Sequence, residues 1–275
     1  MVCFPNAKIN IGLNVIEKRS DGFHNIESVF YPVGWCDVLE IIESKVQDLK
    51  FKVEFTYSGI GIPGKAEDNL CCKAYELISK DYPLPPAKVH LHKIIPVGAG
   101  LGGGSADAAF FIKLLNDKFE LNLSWGEMHH YAKQLGSDCS FFIGNKPAFV
   151  KGKGDDQEGI KLDLEGYNIV LIYPNIHINT AEAYAGVKPE KPSESLEKLI
   201  QLPVGQWKNK IHNDFEDSIF LKYPEIKKIK EQLYSQGAVY ASMSGSGSTV
   251  YGIFKTIGEF SEKEFDNCRV WKKTI

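Results

Sequence analysis

Apolar residues recur along this chain at two spacings, and each spacing marks a kind of element. Val89-His90-Leu91-His92-Lys93-Ile94-Ile95 is rich in β-branched and apolar residues and predicts a strand over 89–95. Ala108, Ala109, Phe111, Ile112, Leu114 and Leu115 fall at helical spacing soon after it. Residues 3–16 and 26–57 read as further β segments broken by Gly, Asp and Pro. More strands are expected over 169–173, 238–243 and 248–254. Helices are expected where caps precede apolar runs. Asp68 stands ahead of Leu70, Ala74, Leu77 and Ile78, and Asn179 or Thr180 ahead of a short helix. Ser124 and Glu127 have capping-box spacing for a helix that stops at Gly136, and Pro224 to Gly237 is bounded by proline and glycine. Residues 188–195, with two prolines, read as an exposed loop. This order is no regular β-α alternation, so α+β in two lobes fits better than a doubly wound sheet. The polar, glycine-rich stretch 151–156 marks the expected junction between residues 1–154 and 155–275.

Composition narrows the class. The 275 residues suffice for one large domain or two medium ones, and 43% hydrophobic with 24% charged residues is ordinary for a soluble globular protein. A net charge of −3 without a dense Lys/Arg block argues against a nucleic-acid partner. No apolar run approaches the roughly 18 residues of a membrane span. Met1 to Asn6 lack the order of an export signal, and the six cysteines (Cys3, Cys36, Cys71, Cys72, Cys139, Cys268) show no CxxC spacing. Reduced thiols, a cytoplasmic location and no metal cluster are expected. His90, His92, His129 and His130 are read as structural or surface residues.

Between the predicted strand and helix lies Pro96-Val97-Gly98-Ala99-Gly100-Leu101-Gly102-Gly103-Gly104-Ser105-Ala106, in which five of the seven residues from Gly98 to Gly104 are glycine. Such a run is costly to order unless backbone must approach something closely. Bare N–H groups at a helix N-terminus, with the positive end of the helix dipole, suit a phosphate. A Walker loop needs Lys-Ser/Thr after its last glycine, whereas Ser105-Ala106-Asp107 follow Gly104 here. A Rossmann site needs the first turn of a βαβ unit, and the element order does not supply one.

The loop resembles the second motif of the GHMP kinase superfamily. The first motif is matched by Pro5-Asn6-Ala7-Lys8-Ile9-Asn10-Ile11-Gly12-Leu13, and the third by Met243-Ser244-Gly245-Ser246-Gly247-Ser248. Within that superfamily the chain is most similar to the branch that phosphorylates a CDP-linked methyl-erythritol. Arg19-Ser20-Asp21-Gly22-Phe23-His24, Gly136-Ser137-Asp138-Cys139-Ser140-Phe141-Phe142 and Asn213-Asp214-Phe215-Glu216 carry this likeness. Asp107 and Phe23 depart from it, standing where many members have Asn and Tyr.

The resemblance implies a two-lobed GHMP kinase fold. Its N-terminal, ATP-binding lobe is ribosomal-protein-S5-domain-2-like (1–154), and its C-terminal lobe is ferredoxin-like (155–275). It implies ATP and Mg²⁺, a small-molecule substrate phosphorylated at its C2 hydroxyl in the non-mevalonate route to isoprenoids, and a monomer or homodimer. It assigns Asp138 as the base for the substrate hydroxyl and Lys8 as its partner, and Pro96 to Ala106 as the phosphate cradle. His24, with Phe23 and Tyr184 as stacking faces, would read cytosine, while Asn10, Thr180 and Gly245 would touch the polyol or diphosphate. Ser105 is either a Mg²⁺ or phosphate ligand or a helix N-cap. Other readings stay open at this level: a kinase acting on mevalonate or homoserine, or a nucleotide sensor without turnover. Residue by residue the plainer readings are a turn aspartate at 138, a solvated lysine at 8, a hairpin at 244–248 and a turn histidine at 24.

Overall fold

Asn6, Lys8 and Asn10 are buried along with Ala7, Ile9 and Ile11, so the strand that carries them is covered on both faces. In this computed structural model residues 1–44, 53–258 and 260–275 are described. The strands in chain order are β1 (Val2–Cys3), β2 (Asn6–Lys18), β3 (His24–Cys36), β4 (Val38–Glu43), β5 (Val53–Gly59), β6 (Ala87–Lys93), β7 (Ala148–Lys151), β8 (Asp156–Gly159), β9 (Asn168–Tyr173), β10 (Tyr240–Met243), β11 (Val250–Phe254) and β12 (Arg269–Thr274). The helices are α1 (Leu70–Ile78), α2 (Gly103–Phe119), α3 (Trp125–Leu135), α4 (Cys139–Gly144), α5 (Thr180–Ala185), α6 (Leu196–Leu199), α7 (Phe215–Lys222) and α8 (Pro224–Ser235).

Two compact units result, neither of them one stretch of sequence. The first takes Met1–Ala7, Val33–Val97 and Gly102–Lys146. Its sheet has the order β1-β4-β6-β5, with β5 parallel to β6 and the other pairs antiparallel. Alternate residues Ala87, Val89 and Leu91 of β6 are buried, while α1, α2, α3 and α4 pack on one another. Each fully buried aliphatic side chain of this kind is worth roughly 1.5–3 kcal/mol.

The second unit takes Lys8–Pro32, Gly98–Leu101 and Pro147–Ile275. It holds most of the sheet β2-β3-β7-β8 and all of the sheet β10-β11-β9-β12. The latter is antiparallel throughout, and its order is that of a ferredoxin-like sheet. A 3-10 turn, Glu262–Phe265, stands before β12 where such a fold usually has its second helix. Ile226, Ile229 and Leu233 of α8 join Val170, Ile172, Ala241, Val250 and Phe254 in this unit's core.

The fold is α+β, as the element order implied, with local differences. Helix α1 is capped by Asn69, whose side chain accepts from the Cys71 N–H; Asp68 instead ends a 3-10 turn. The expected strand 89–95 ends at Lys93, because the Ile94 and Ile95 amides turn to a carboxylate, Asp37. The capping box of Ser124 and Glu127 forms, and so does the Asn179 cap. The stretch 151–156 joins β7 to β8, so the junction expected at 154/155 falls in a hairpin turn of the second unit. The part of the expected β region falling on residues 45–52 lies outside the described residues. His90 and His92 bond Ser58 across β5 and β6, His129 lies tilted against Trp125, and His130 meets the edge of Tyr131.

Candidate active site

Gly98, Gly100 and Gly102 take positive φ values of 67°, 78° and 68°, a region that L side chains avoid. A Cβ on Gly100 would lie 2.0 Å from the Ser244 carbonyl oxygen, so the glycine requirement there is one of space as well as of torsion. Gly102 is the N-cap of α2 and offers no side chain to its first turn. Of the two readings of Ser105, the N-cap is therefore not formed: Ser105 sits inside the first turn of α2, beside the Cys139 thiol. Among the described residues, no side chain caps the amides that open this 17-residue helix, and none lies within 4 Å of an added Cβ on Gly104. That is a place for an anion.

Residues of three distant motifs meet at one hydroxyl in the second unit. Ser244 Oγ accepts the Asn10 N–H at 3.1 Å and donates to the Gly100 carbonyl at 2.8 Å. Further backbone bonds join Lys8 to Leu101 (3.0 Å), Thr249 to Ala99 (3.2 Å) and Ser244 to Thr249 (2.9 Å). From below, Asn213 Nδ2 donates to the carbonyls of Met243 (2.7 Å) and Gly245 (2.8 Å). Glu216 accepts from the Met243 N–H at 2.8 Å and the Ser242 hydroxyl at 3.0 Å, and it pairs with Lys230. Asn213 and Glu216 are thus braces under the 244–248 turn. The sequence shows them only as a motif; the signal that they brace something is their burial, and only the fold reveals that.

Lys8 is 4% exposed and Asn10 2%, so neither is a solvated surface group. The Lys8 ammonium donates to Asn10 Oδ1 and lies 4.3 Å from the centre of the Phe30 ring. Asn10 Nδ2 donates to Ser28 Oγ at 2.8 Å, and Ser28 donates to the Gly12 carbonyl at 2.6 Å. A Cβ on Gly245 would lie 3.3 Å from Asn10 Oδ1.

His24 and Tyr184 stack, with ring centres 4.7 Å apart and planes at 15°, and the edge of Tyr184 meets Phe215 at 4.9 Å. One face of Tyr184 is therefore taken by His24 rather than left open. Phe23 is 60% exposed, with the Lys153 ammonium 5.2 Å from its ring centre. The turn before it is held by the Arg19–Asp21 ion pair and by the Phe23 N–H donating to Asp21 Oδ1 at 3.1 Å. Burial and then Lys18 lower the His24 pKa below the usual imidazole value, which favours a neutral ring at pH 7. Thr180 opens α5, its hydroxyl 3.4 Å from that of Ser246. Asp138 belongs to the first unit, where it precedes α4 and accepts from the Ser137 hydroxyl at 3.3 Å without capping the helix. Pro96, Val97 and Gly102 to Ala106 also belong to the first unit, and Gly98 to Leu101 to the second.

For Mg²⁺, the described residues contain no group of three or more His, Cys, Asp or Glu side chains able to hold an ion. The donors at the loop are amides and one hydroxyl. They fit phosphate oxygens, and they fit a hard cation only when it arrives carrying phosphate and water as ligands.

Comparison with known proteins gives the family. The family model "GHMP kinases N terminal domain" matches residues 69–153, and "GHMP kinases C terminal" matches residues 195–263. The 4-diphosphocytidyl-2-C-methyl-D-erythritol kinase of Azobacteroides pseudotrichonymphae is 54% identical over 256 residues, covering 93% of this chain and 94% of its own. The enzyme of that name from Bacteroides thetaiotaomicron is 52% identical over 265 residues, covering 96% of each. A crystal structure of 4-(cytidine 5'-diphospho)-2C-methyl-D-erythritol kinase superimposes with a TM-score of 0.83 at 25% identity, over 99% of this chain and 98% of that one. A homoserine kinase from Cytophaga hutchinsonii shares the fold, with a TM-score of 0.65 at 16% identity over 98% of this chain and 95% of its own.

Proposed function

This chain belongs to the 4-diphosphocytidyl-2-C-methyl-D-erythritol kinases of the GHMP kinase family, and on that premise we propose that it moves the γ-phosphoryl group of ATP to the C2 hydroxyl of that CDP-linked alcohol. The step belongs to the non-mevalonate route to isoprenoid precursors. The observation that carries the reading is the Ser244 hydroxyl, which ties the Asn10 strand to the glycine loop at Gly100. A loop held in this way is pre-organised, and phosphoryl transfer is largely a matter of positioning and charge.

The amides of Pro96 to Ala106, proline excepted, receive the triphosphate in this reading, and the α2 dipole favours its charge. Mg²⁺, when bound with ATP, would supply positive charge against the phosphates, and Ser105 is the side chain that would be offered to it or to a phosphate oxygen. Asp138 accepts the hydroxyl proton as the alcohol oxygen bonds to the γ-phosphorus. The bond from that phosphorus to the bridging oxygen breaks, and ADP leaves. Lys8 supplies a fixed positive charge for the nucleophile and the moving phosphoryl group, oriented by Asn10. The tertiary alcohol is crowded, so orientation contributes more than intrinsic nucleophilicity. His24 reads the cytosine edge as a neutral ring backed by Tyr184, and Phe23 adds an exposed face. Thr180 and Gly245 serve the diphosphate and polyol. Six free thiols suit a reducing, cytoplasmic setting. The chain works as a monomer or homodimer on a small molecule, without nucleic acid or membrane.

A coupled assay of ADP release tests this directly. With ATP and Mg²⁺, release is expected with the CDP-linked alcohol and not with mevalonate or homoserine. Release with either of the latter alone would reject the substrate, and ATP binding without release on any alcohol would make the chain a sensor.

A further inference from the structure

Lys93, the last residue of β6, is 2% exposed and takes no part in the chemistry above. Its ammonium lies 2.5 Å from Asp37 Oδ2 and 2.7 Å from Asp107 Oδ2, so one buried cation is shared by two buried carboxylates. Asp37, between β3 and β4, uses its other oxygen to accept the N–H groups of Ile94 (2.5 Å) and Ile95 (2.8 Å). Asp107, in α2, is 4% exposed, and its buried Oδ1 finds no hydrogen-bond partner among the described residues. Cys71 from α1 and Cys3 from β1 lie within reach of the Asp107 charge, and burial pushes both thiols up, Cys3 to about 12, so neither adds a charge at neutral pH. Burial would depress Lys93, yet the two carboxylates hold it above the usual lysine value.

Ion clusters of this kind are a poor route to stability, since apolar side chains of similar volume often do as well. An orphaned carboxylate oxygen makes the arrangement costlier still. Its location offers a different account. Ile94 and Ile95 lead directly into Pro96, where the glycine loop begins. At the loop's end, a Cβ on Gly103 would lie 3.0 Å from the Lys93 ammonium and 2.9 Å from Ile95 Cγ2. The same ammonium is thus tied, through Asp37, to the strand side of the loop, and through Asp107 to the helix side.

We propose that Asp37, Lys93 and Asp107 form a clamp that sets the spacing between the two ends of the phosphate loop, making Lys93 and Asp107 positioning residues for the nucleotide. The inference rests on the reading that ATP's phosphates lie on this loop. Asp107→Leu removes the helix-side tie together with the orphaned oxygen and leaves Lys93 paired with Asp37. Asp107→Asn keeps an acceptor for Lys93 but weakens it. The KM for ATP is expected to rise about threefold in Asp107→Asn and about tenfold or more in Asp107→Leu, a scale set by small displacements of binding groups. The KM for the CDP-linked alcohol stays within about twofold of the parent in both, because a local clamp does not reach that substrate's contacts. Circular-dichroism melts establish that each variant is folded. If Asp107→Leu does not fold, Asp107→Asn alone decides. A folded variant with unchanged KM for ATP, or with both KM values moved alike, overturns the clamp. The parent protein is run in parallel: if it neither binds ADP by calorimetry nor turns over, the kinase reading fails, a result distinct from a normal parent with indifferent variants.

Discussion

An ammonium group as deeply buried as that of Lys8 is kept only where its surroundings satisfy it. Asn10 Oδ1 and the Phe30 ring do part of this, and Asn10 is held in turn by Ser28. Asp138 keeps some exposure and accepts from the Ser137 hydroxyl. With Asp138 as the base, Asp138→Ala is expected to lower kcat by about 10²–10⁴ while calorimetric ADP affinity stays near that of the parent. Near-normal turnover would remove Asp138 from that role. His24 carries a pH signature. Its pKa lies below the usual imidazole value, so the ring stays neutral at pH 7 and gains a proton only below the range where an exposed histidine would. The KM for the CDP-linked alcohol should accordingly be flat from alkaline to neutral pH and rise only in acid. His24→Ala should raise that KM more than the KM for ATP; equal increases would argue against a role in reading cytosine.

The glycine loop and the 244–248 turn are each weak elements by themselves, and their order comes from mutual bonding. Gly100 has the sharpest requirement, combining positive φ with backbone 2.0 Å from where a Cβ would stand. Gly100→Ala must displace the Ser244 carbonyl, and ADP affinity measured by calorimetry should fall about tenfold or more. An alanine variant that binds ADP like the parent would show that the loop's close packing is irrelevant to the nucleotide. The brace beneath the turn acts on stability first. Asn213→Ala leaves the Met243 and Gly245 carbonyls and the Phe215 N–H without their side-chain partner, a loss of roughly 2–4 kcal/mol. A denaturant titration reads that loss directly, and a change under about 0.5 kcal/mol would mean that water replaces the amide.

Across the molecule, both units draw on separated stretches of chain, so the hydrophobic cores close only when distant segments arrive together. The cysteines report on that closure. Burial raises Cys72 to about 11 and Cys139 to about 11, and Cys71 well above its ordinary value. At pH 8 these thiols are protonated as well as covered, and a thiol is reactive chiefly as thiolate. Cys71, Cys72 and Cys139 should therefore resist a disulfide reagent in the native protein and react at once in denaturant. Mass-spectrometric mapping that found all three labelled before unfolding would contradict the packing described for the first unit.

The residue pattern by itself determined the helix bounded by Pro224, the capping box at Ser124, the strand–glycine loop–helix order and the three motifs, because torsional preference, capping and periodicity act within a few residues. It also carried the family likeness, hence the substrate class. It could not determine that Asn69 rather than Asp68 caps α1, or that Gly102 rather than Ser105 opens α2, since neighbouring candidates of similar propensity are separated only by the packing around them. Nor could it show that Lys8 is buried, that Ser244 joins motifs far apart in the chain, or that Lys93 is shared by Asp37 and Asp107. Burial, hydrogen bonding and charge pairing over such separations exist only once the chain has folded.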